Sequence, residues 1–299
     1  GSIRYPCAAC NLTGIKPTWG RVSRHGVFPL AGTLDHIGPM ARSTADCAAI
    51  LQVISGWDVH DPTSIDTPVP EYSAEVGKNI CGMRIGIDRL YSFDGTDPQI
   101  VTALEQAISV FEGLGARLVE VRMPNYDGLI EAWIMMCAIE TAVAHQDTYP
   151  ARGDEYGPGL AQLIGEGHTT TGMKAAHGHH LRVLFTSAFI TMFGEVDCML
   201  CPTMPKLTPS LAKMAHYGSD PEVLHAIMRF TAPFNFSGNP TITLPNGIDT
   251  AGMPHSMQIV GPHLGECAII RAAAAYQSVT NWHTRHPNID LHTNTSERG

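Results

Sequence analysis

"MRIGIDRLYSFDGTDPQIVTALEQAISVFEGLGARLVEVRMP", Met83 to Pro124, changes its hydrophobic period twice. Met83 to Leu90 alternates apolar and polar residues, the pattern of a half-buried strand. Asp97-Pro98 then opens a segment in which Ile100, Leu104, Ala107, Ile108 and Phe111 share one face at helical spacing. Gly113 and Gly115 interrupt that helix, and Ala116 to Pro124 returns to period two through Leu118, Val119 and Val121. Strand, amphipathic helix and strand in succession predict a βαβ crossover, and therefore a parallel pair inside an α/β fold.

Outward from this unit the same signals recur. Asp197 to Pro205 ("DCMLCPTMP"), Pro240 to Pro245 ("PTITLP") and Ser256 to Pro262 ("SMQIVGP") read as short strands ended by proline or glycine. Ser43-Thr44-Ala45-Asp46 resembles a helix cap before "CAAILQVISGW", and Glu266 to Val279 is an alanine-rich packed helix. Gly14 to Gly38, with Gly20, Gly26, Gly32, Pro17 and Pro29, lacks sustained periodicity and is expected to be ordered loop or short strands, the kind of segment that builds sites. No internal repeat or low-complexity linker imposes a boundary, so one domain, or part of one, is expected.

The 299 residues are 44% hydrophobic and carry a formal charge of −9 from only 16% charged residues. Such a chain can bury a sizeable core, and without a run of like charge it has no electrostatic footprint for nucleic acid or anionic lipid. No apolar stretch is long enough to span a bilayer, and no signal-peptide pattern is visible. A cytoplasmic location is expected. Cys7-x-x-Cys10 and Cys198-x-x-Cys201 have zinc-like spacing, but the second pair sits on a strand, where side chains three apart face opposite ways. The eight cysteines are read as buried free thiols of a reducing compartment, with no metal and no cofactor.

Common catalytic templates are missing: G-x-S-x-G, the phosphate loop, G-x-G-x-x-G and H-E-x-x-H do not occur. Fifteen histidines leave a Ser-His-Asp set open on numbers alone, and His177 to His180 ("HGHH") lacks partners at ligand spacing.

Three motifs remain: Gly1-Ser2-Ile3-Arg4-Tyr5-Pro6, Gly14-Ile15-Lys16-Pro17-Thr18 and Thr33-Leu34-Asp35-His36-Ile37-Gly38-Pro39. Their order and content resemble the second half of the signature of the amidase signature family, in which Gly-Gly-Ser-Ile-Arg-x-Pro leads into Gly-Leu-Lys-Pro-Thr and Ser-Leu-Asp-x-x-Gly-Pro. The likeness is dense over residues 1 to 62, returns at "VDCMLCPTMP", "FTAPFNFSGNPTITLP" and the closing helix, and is thin from Asn125 to Glu195. It implies a mixed central sheet flanked by helices, with the amino-terminal part of the domain missing. Residues 1–299 would be a partial amidase signature domain, with its signature loops in about 1–62 and a variable region, a candidate for substrate binding, in about 125–195.

The resemblance also implies chemistry. Ser2 would be the nucleophile, and Gly1 the last glycine of a loop whose backbone N–H groups form the oxyanion hole. An amide carbonyl resists attack and a neutral hydroxyl is a weak nucleophile, so such a site needs a base and preplaced donors. The family's base is a lysine acting through a second serine, a Ser-Ser-Lys triad. That lysine must fall from about 10.4 towards neutrality to accept a proton. Both partners would lie upstream of Gly1, so the 299 residues alone are expected to be inactive. Lys16, inside a motif but not the family's base, is read as structural; Arg4 and Asp35 are read as an ion pair, or as holding loop backbone.

The implied function is hydrolysis of linear carboxylic amides through a seryl acyl-enzyme. The partner is a small-molecule amide, and a homodimer is left open. The alternatives are the glutaminase subunit of a tRNA-dependent amidotransferase and a noncatalytic fragment serving as an interaction module. Trp133, Met135, Met136, Phe185, Phe189, Met192 and Phe193 are read as core, with an apolar acyl pocket as the alternative.

Overall fold

In chain order the elements are α1 (Arg4–Ala9), β1 (Thr13–Lys16), β2 (Met40–Ala41), α2 (Thr44–Ile54), β3 (Arg84–Ile87), α3 (Arg89–Phe93), α4 (Pro98–Gly113) and β4 (Arg117–Glu120). There follow α5 (Leu129–Ala144), α6 (Pro158–Thr169), α7 (Gly172–Met192), β5 (Cys198–Pro202), α8 (Leu211–Met214), α9 (Ala232–Phe236), β6 (Thr241–Ile248), β7 (Pro254–Val260) and α10 (Glu266–Val279). The computed structural model describes residues 1–214 and 227–287.

The expected crossover is present. β3 and β4 pair in parallel, Ile85 opposite Leu118 and Ile87 opposite Glu120, with α4 between them in sequence. Asp97 caps α4 by accepting from Gln99 N at 2.9 Å, Pro98 occupies its first turn, and the five residues assigned to its apolar face are all buried. Gly115, at φ +86°, takes the left-handed conformation that ends the helix. The strand expected over Met83 to Leu90 stops at Ile87. The Asp88 carboxylate accepts from Tyr91 N (3.1 Å) and Met123 N (2.7 Å), which starts α3 and ties the chain to the end of β4.

Seven strands form one mixed sheet in the order β2-β1-β6-β7-β5-β3-β4; β3 is parallel to β4 and β5, and the remaining pairs are antiparallel. Strand alternation divides the core into two clusters. On β5, Cys198 and Leu200 join Ile85, Ile242 and the apolar faces of α2, α4 and α10. Met199 and Cys201 join Tyr5, Val121 and the apolar residues of α5, α7 and α9. The paired cysteines therefore project to opposite faces, as their spacing on a strand requires. Cys7, Cys47, Cys137, Cys198 and Cys201 are buried, whereas Cys10 and Cys81 are exposed, contrary to the reading of all eight as core thiols. Cys10 lies just past the end of α1, where the chain turns away.

Candidate functional site

Ser2 occupies the turn that leads into α1, with Gly1 O accepting from Tyr5 N at 2.8 Å. The helix buries Arg4, Tyr5, Cys7 and Ala8 and packs on β1, β6 and β7. Close approach at Gly14 permits this: a β-carbon there would lie 2.5 Å from Cys7 Sγ and 3.1 Å from Ile3 Cγ2. Ser2 itself is exposed. It lines an open cleft of about 460 Å³ shared with Arg24, Phe28, Asp35 and His60, and also a cavity of about 120 Å³ shared with Gly1, Arg4, Lys16, Asp35, His36 and Trp133. The charged residues of three sequence motifs thus converge on one serine.

Arg4 is not paired with Asp35. Its guanidinium donates to Thr231 O (2.8 Å), Gln258 Oε1 (3.3 Å) and Asn235 Oδ1, all neutral acceptors. Burial pulls it down to about 9, still a cation at neutral pH. Asp35 instead accepts from Leu30 N (2.8 Å) and Ala31 N (3.0 Å), so its carboxylate holds loop backbone, the second of the two readings above. Lys16 Nζ donates to Pro17 O (3.1 Å) and Asn239 O (2.5 Å), tying β1 to the segment before β6. Burial, assisted by Arg4, holds its pKa well below the ordinary lysine value. Both bonds go to backbone carbonyls, the tie expected of a structural lysine.

The loop beside Ser2 is fastened by residues that the sequence did not single out. Thr33 donates through N (2.7 Å) and Oγ1 (2.6 Å) to the Glu140 carboxylate on α5. Arg182 on α7 donates to Thr33 Oγ1 (3.0 Å), Thr33 O (2.9 Å) and Phe236 O (2.7 Å). The region of thin resemblance therefore positions the signature loop. Met136, Phe185, Phe189, Met192 and Phe193 are core, while Trp133 and Cys137 of α5 reach the Ser2 cavity. Burial pushes the Cys137 thiol up to about 12, with Glu140 adding to the shift, so it remains protonated beside the serine.

His177, His179 and His180 are exposed on α7, and among the described residues no group of three or more His, Cys, Asp or Glu side chains is arranged to hold a metal ion. No helix among the described residues is long and apolar enough to cross a membrane.

A family model described as Amidase matches residues 1–270. Over 291 residues the chain is 40% identical to "Putative amidase AmiD" of Mycobacterium tuberculosis, covering 97% of this chain and 60% of that protein. It is 35% identical over 311 residues to a glutamyl-tRNA(Gln) amidotransferase subunit from Chromohalobacter salexigens, covering 96% of this chain and 63% of that protein. A bacterial aryl acylamidase of the amidase signature enzymes superposes with a TM-score of 0.78 at 25% identity, over 94% of this chain and 61% of that one. The 6-aminohexanoate cyclic dimer hydrolase shares the fold, with a TM-score of 0.85 at 24% identity over 96% of this chain and 64% of that one. The chain thus spans about 60% of the length of the relatives it matches.

Proposed function

The chain belongs to the amidase signature family, and from that premise we propose that it carries the nucleophile of an amide hydrolase at Ser2. The observation that carries the reading is the position of Ser2, exposed at the junction of an open cleft and a cavity that Arg4, Lys16 and Asp35 of the family's motifs line. Ser2 Oγ would attack a carboxamide carbonyl. Collapse of the tetrahedral adduct breaks the C–N bond, the amine leaves with a proton, and water hydrolyses the seryl ester. Backbone N–H groups at Gly1 and its glycine loop would hold the developing oxyanion, where glycine lets main chain approach closely.

A base must take the serine proton. The family's Ser-Ser-Lys relay would supply it through a lysine and a bridging serine that match no motif in these 299 residues, which is why this stretch alone is expected to lack turnover. The substrate proposed is a small linear amide. The full-length protein, treated with a fluorophosphonate probe and analysed by mass spectrometry, should carry the label on Ser2, and Ser2→Ala should abolish hydrolysis of simple amides. Label on another serine, with hydrolysis intact in Ser2→Ala, refutes the assignment. Turnover by residues 1–299 comparable to that of the full-length protein refutes the relay and points to Lys16, which lines the same cavity and whose pKa burial lowers.

The second reading is a glutaminase that passes ammonia to a partner, supported by the 35% identity to an amidotransferase component. Glutamine hydrolysis stimulated by partner proteins, in the absence of activity on simple amides, would favour it.

A further inference from the structure

Two residues lining the Ser2 cavity each hold a buried polar atom without a hydrogen-bond partner: His36 Nε2 and Trp133 Nε1. Their chemical sense follows from a chain of hydrogen bonds that begins in the sheet. Gln258 on β7 donates its amide nitrogen to Pro202 O (3.0 Å) and Phe230 O (2.5 Å), which turns its oxygen towards Arg4. Arg4, a pure donor, takes Asn235 by its oxygen. The nitrogen of Asn235 must then face Leu34 O, to which it donates at 3.1 Å. The same carbonyl lies 2.8 Å from His36 Nδ1. Asn235 Nδ2 also lies 3.3 Å from Nδ1, but the carbonyl is the nearer neighbour and only accepts, so Nδ1 carries the proton and Nε2 is left as a bare lone pair. Burial and the nearby Lys16 and Arg4 hold His36 well below its ordinary pKa, which keeps that lone pair free at neutral pH.

The indole Nε1–H of Trp133 can only donate. The two residues, which both line the cavity beside Ser2, thus hold one unmet acceptor and one unmet donor. An unmet buried polar group is costly, so each is worth a strong hydrogen bond to whatever enters. A carboxamide offers the complementary pair, an N–H and a carbonyl oxygen, and about 120 Å³ admits a small one or a few waters.

We propose that His36 and Trp133 recognise the substrate amide, His36 Nε2 accepting from its N–H and Trp133 Nε1–H donating to its carbonyl oxygen. This deepens the reading of Ser2 as an amidase nucleophile and rests on it. It also predicts a preference for unsubstituted or singly substituted amides, because a tertiary amide has no N–H to give.

The test uses the full-length protein and propionamide with its ester counterpart, methyl propionate. His36→Gln places an acceptor near the Nε2 position, whereas His36→Asn keeps only the bond to Leu34 O. Trp133→Phe keeps the ring and removes the donor. Propionamide kcat/KM should fall about tenfold or more in His36→Asn and in Trp133→Phe and stay within about threefold of wild type in His36→Gln, the size expected of one buried hydrogen bond. For the ester, which lacks N–H, the His36→Asn defect should vanish while that of Trp133→Phe remains. A purely structural His36 would give the reverse order, with Asn tolerated and Gln impaired, and that result overturns the inference. An equal His36→Asn loss on amide and ester overturns it as well, as does Trp133→Phe turning over both substrates as wild type does. Binding of propionamide to the Ser2→Ala protein, measured by calorimetry, separates the two levels. Retained hydrolysis in Ser2→Ala sinks the nucleophile, whereas no propionamide binding, or binding unchanged by His36→Asn and Trp133→Phe, sinks the recognition pair.

Discussion

His36 shows how one residue's ionisation is set by neighbours far away in the chain. Burial of the ring, with the basic side chains of Lys16 and Arg4 close by, disfavours its protonated form. Its folded pKa lies below the unfolded value near 6.5, so as pH falls through that value the unfolded chain takes up a proton that the folded chain refuses. Stability is lost from about pH 6.5 downward and levels off below the folded pKa. His36→Gln lacks this term. Urea midpoints for wild type and His36→Gln should differ by one amount at pH 7.5 and shift further in favour of the variant at pH 5.0; an unchanged difference would contradict a neutral, enclosed His36.

At the scale of elements, the site depends on how closely a six-residue helix lies against one strand. α1 carries Ser2 at its leading turn, and the absence of a side chain at Gly14 sets its height above β1. Gly14→Ala places a methyl group 2.5 Å from Cys7 Sγ, an overpacked contact expected to cost about 1–3 kcal/mol and to shift Ser2. Gly165, inside α6, offers the control, since a β-carbon there meets nothing within 4 Å. Gly165→Ala should raise stability by about 0.5–1 kcal/mol through helix propensity. Thermal unfolding of both variants, with the rate of fluorophosphonate labelling, checks the pair: a slow, destabilised Gly14→Ala beside a normal, stabilised Gly165→Ala is expected.

Across the whole molecule both faces of the sheet bury apolar core, and only one of them also holds the polar groups of the site. One face is covered by α2, α4 and α10; the other, packed against α1, α5, α7 and α9, also carries Lys16, which lines the cavity, and Gln258, which accepts from the cavity-lining Arg4. Cys198 and Cys201 fall on different sides of this division, so their thiols cannot share an ion, and each is a protonated core group pushed up by burial. Exhaustive chelation of the full-length protein should leave its melting temperature and its fluorophosphonate labelling unchanged. A fall in either, restored by zinc, would place a metal where the strand geometry denies one.

Much of this was legible in the residues alone. The period changes from Met83 to Pro124 specify strand, helix and parallel strand, because side-chain direction follows backbone period locally, and the ordered motifs from Gly1 to Pro39 carry the family. The same local rule placed Cys198 and Cys201 on opposite faces. Only the tertiary structure decided that Arg4 takes Gln258 and Asn235 rather than Asp35, that Glu140 and Arg182 clamp Thr33, and that Trp133 and His36 line one cavity with the serine. These contacts join residues brought together by the order of strands in the sheet and the packing of α5 and α7. Hydrophobic periodicity carries no information about which distant polar groups will share one buried space, and the direction of each hydrogen bond there is fixed only once its neighbours are in place.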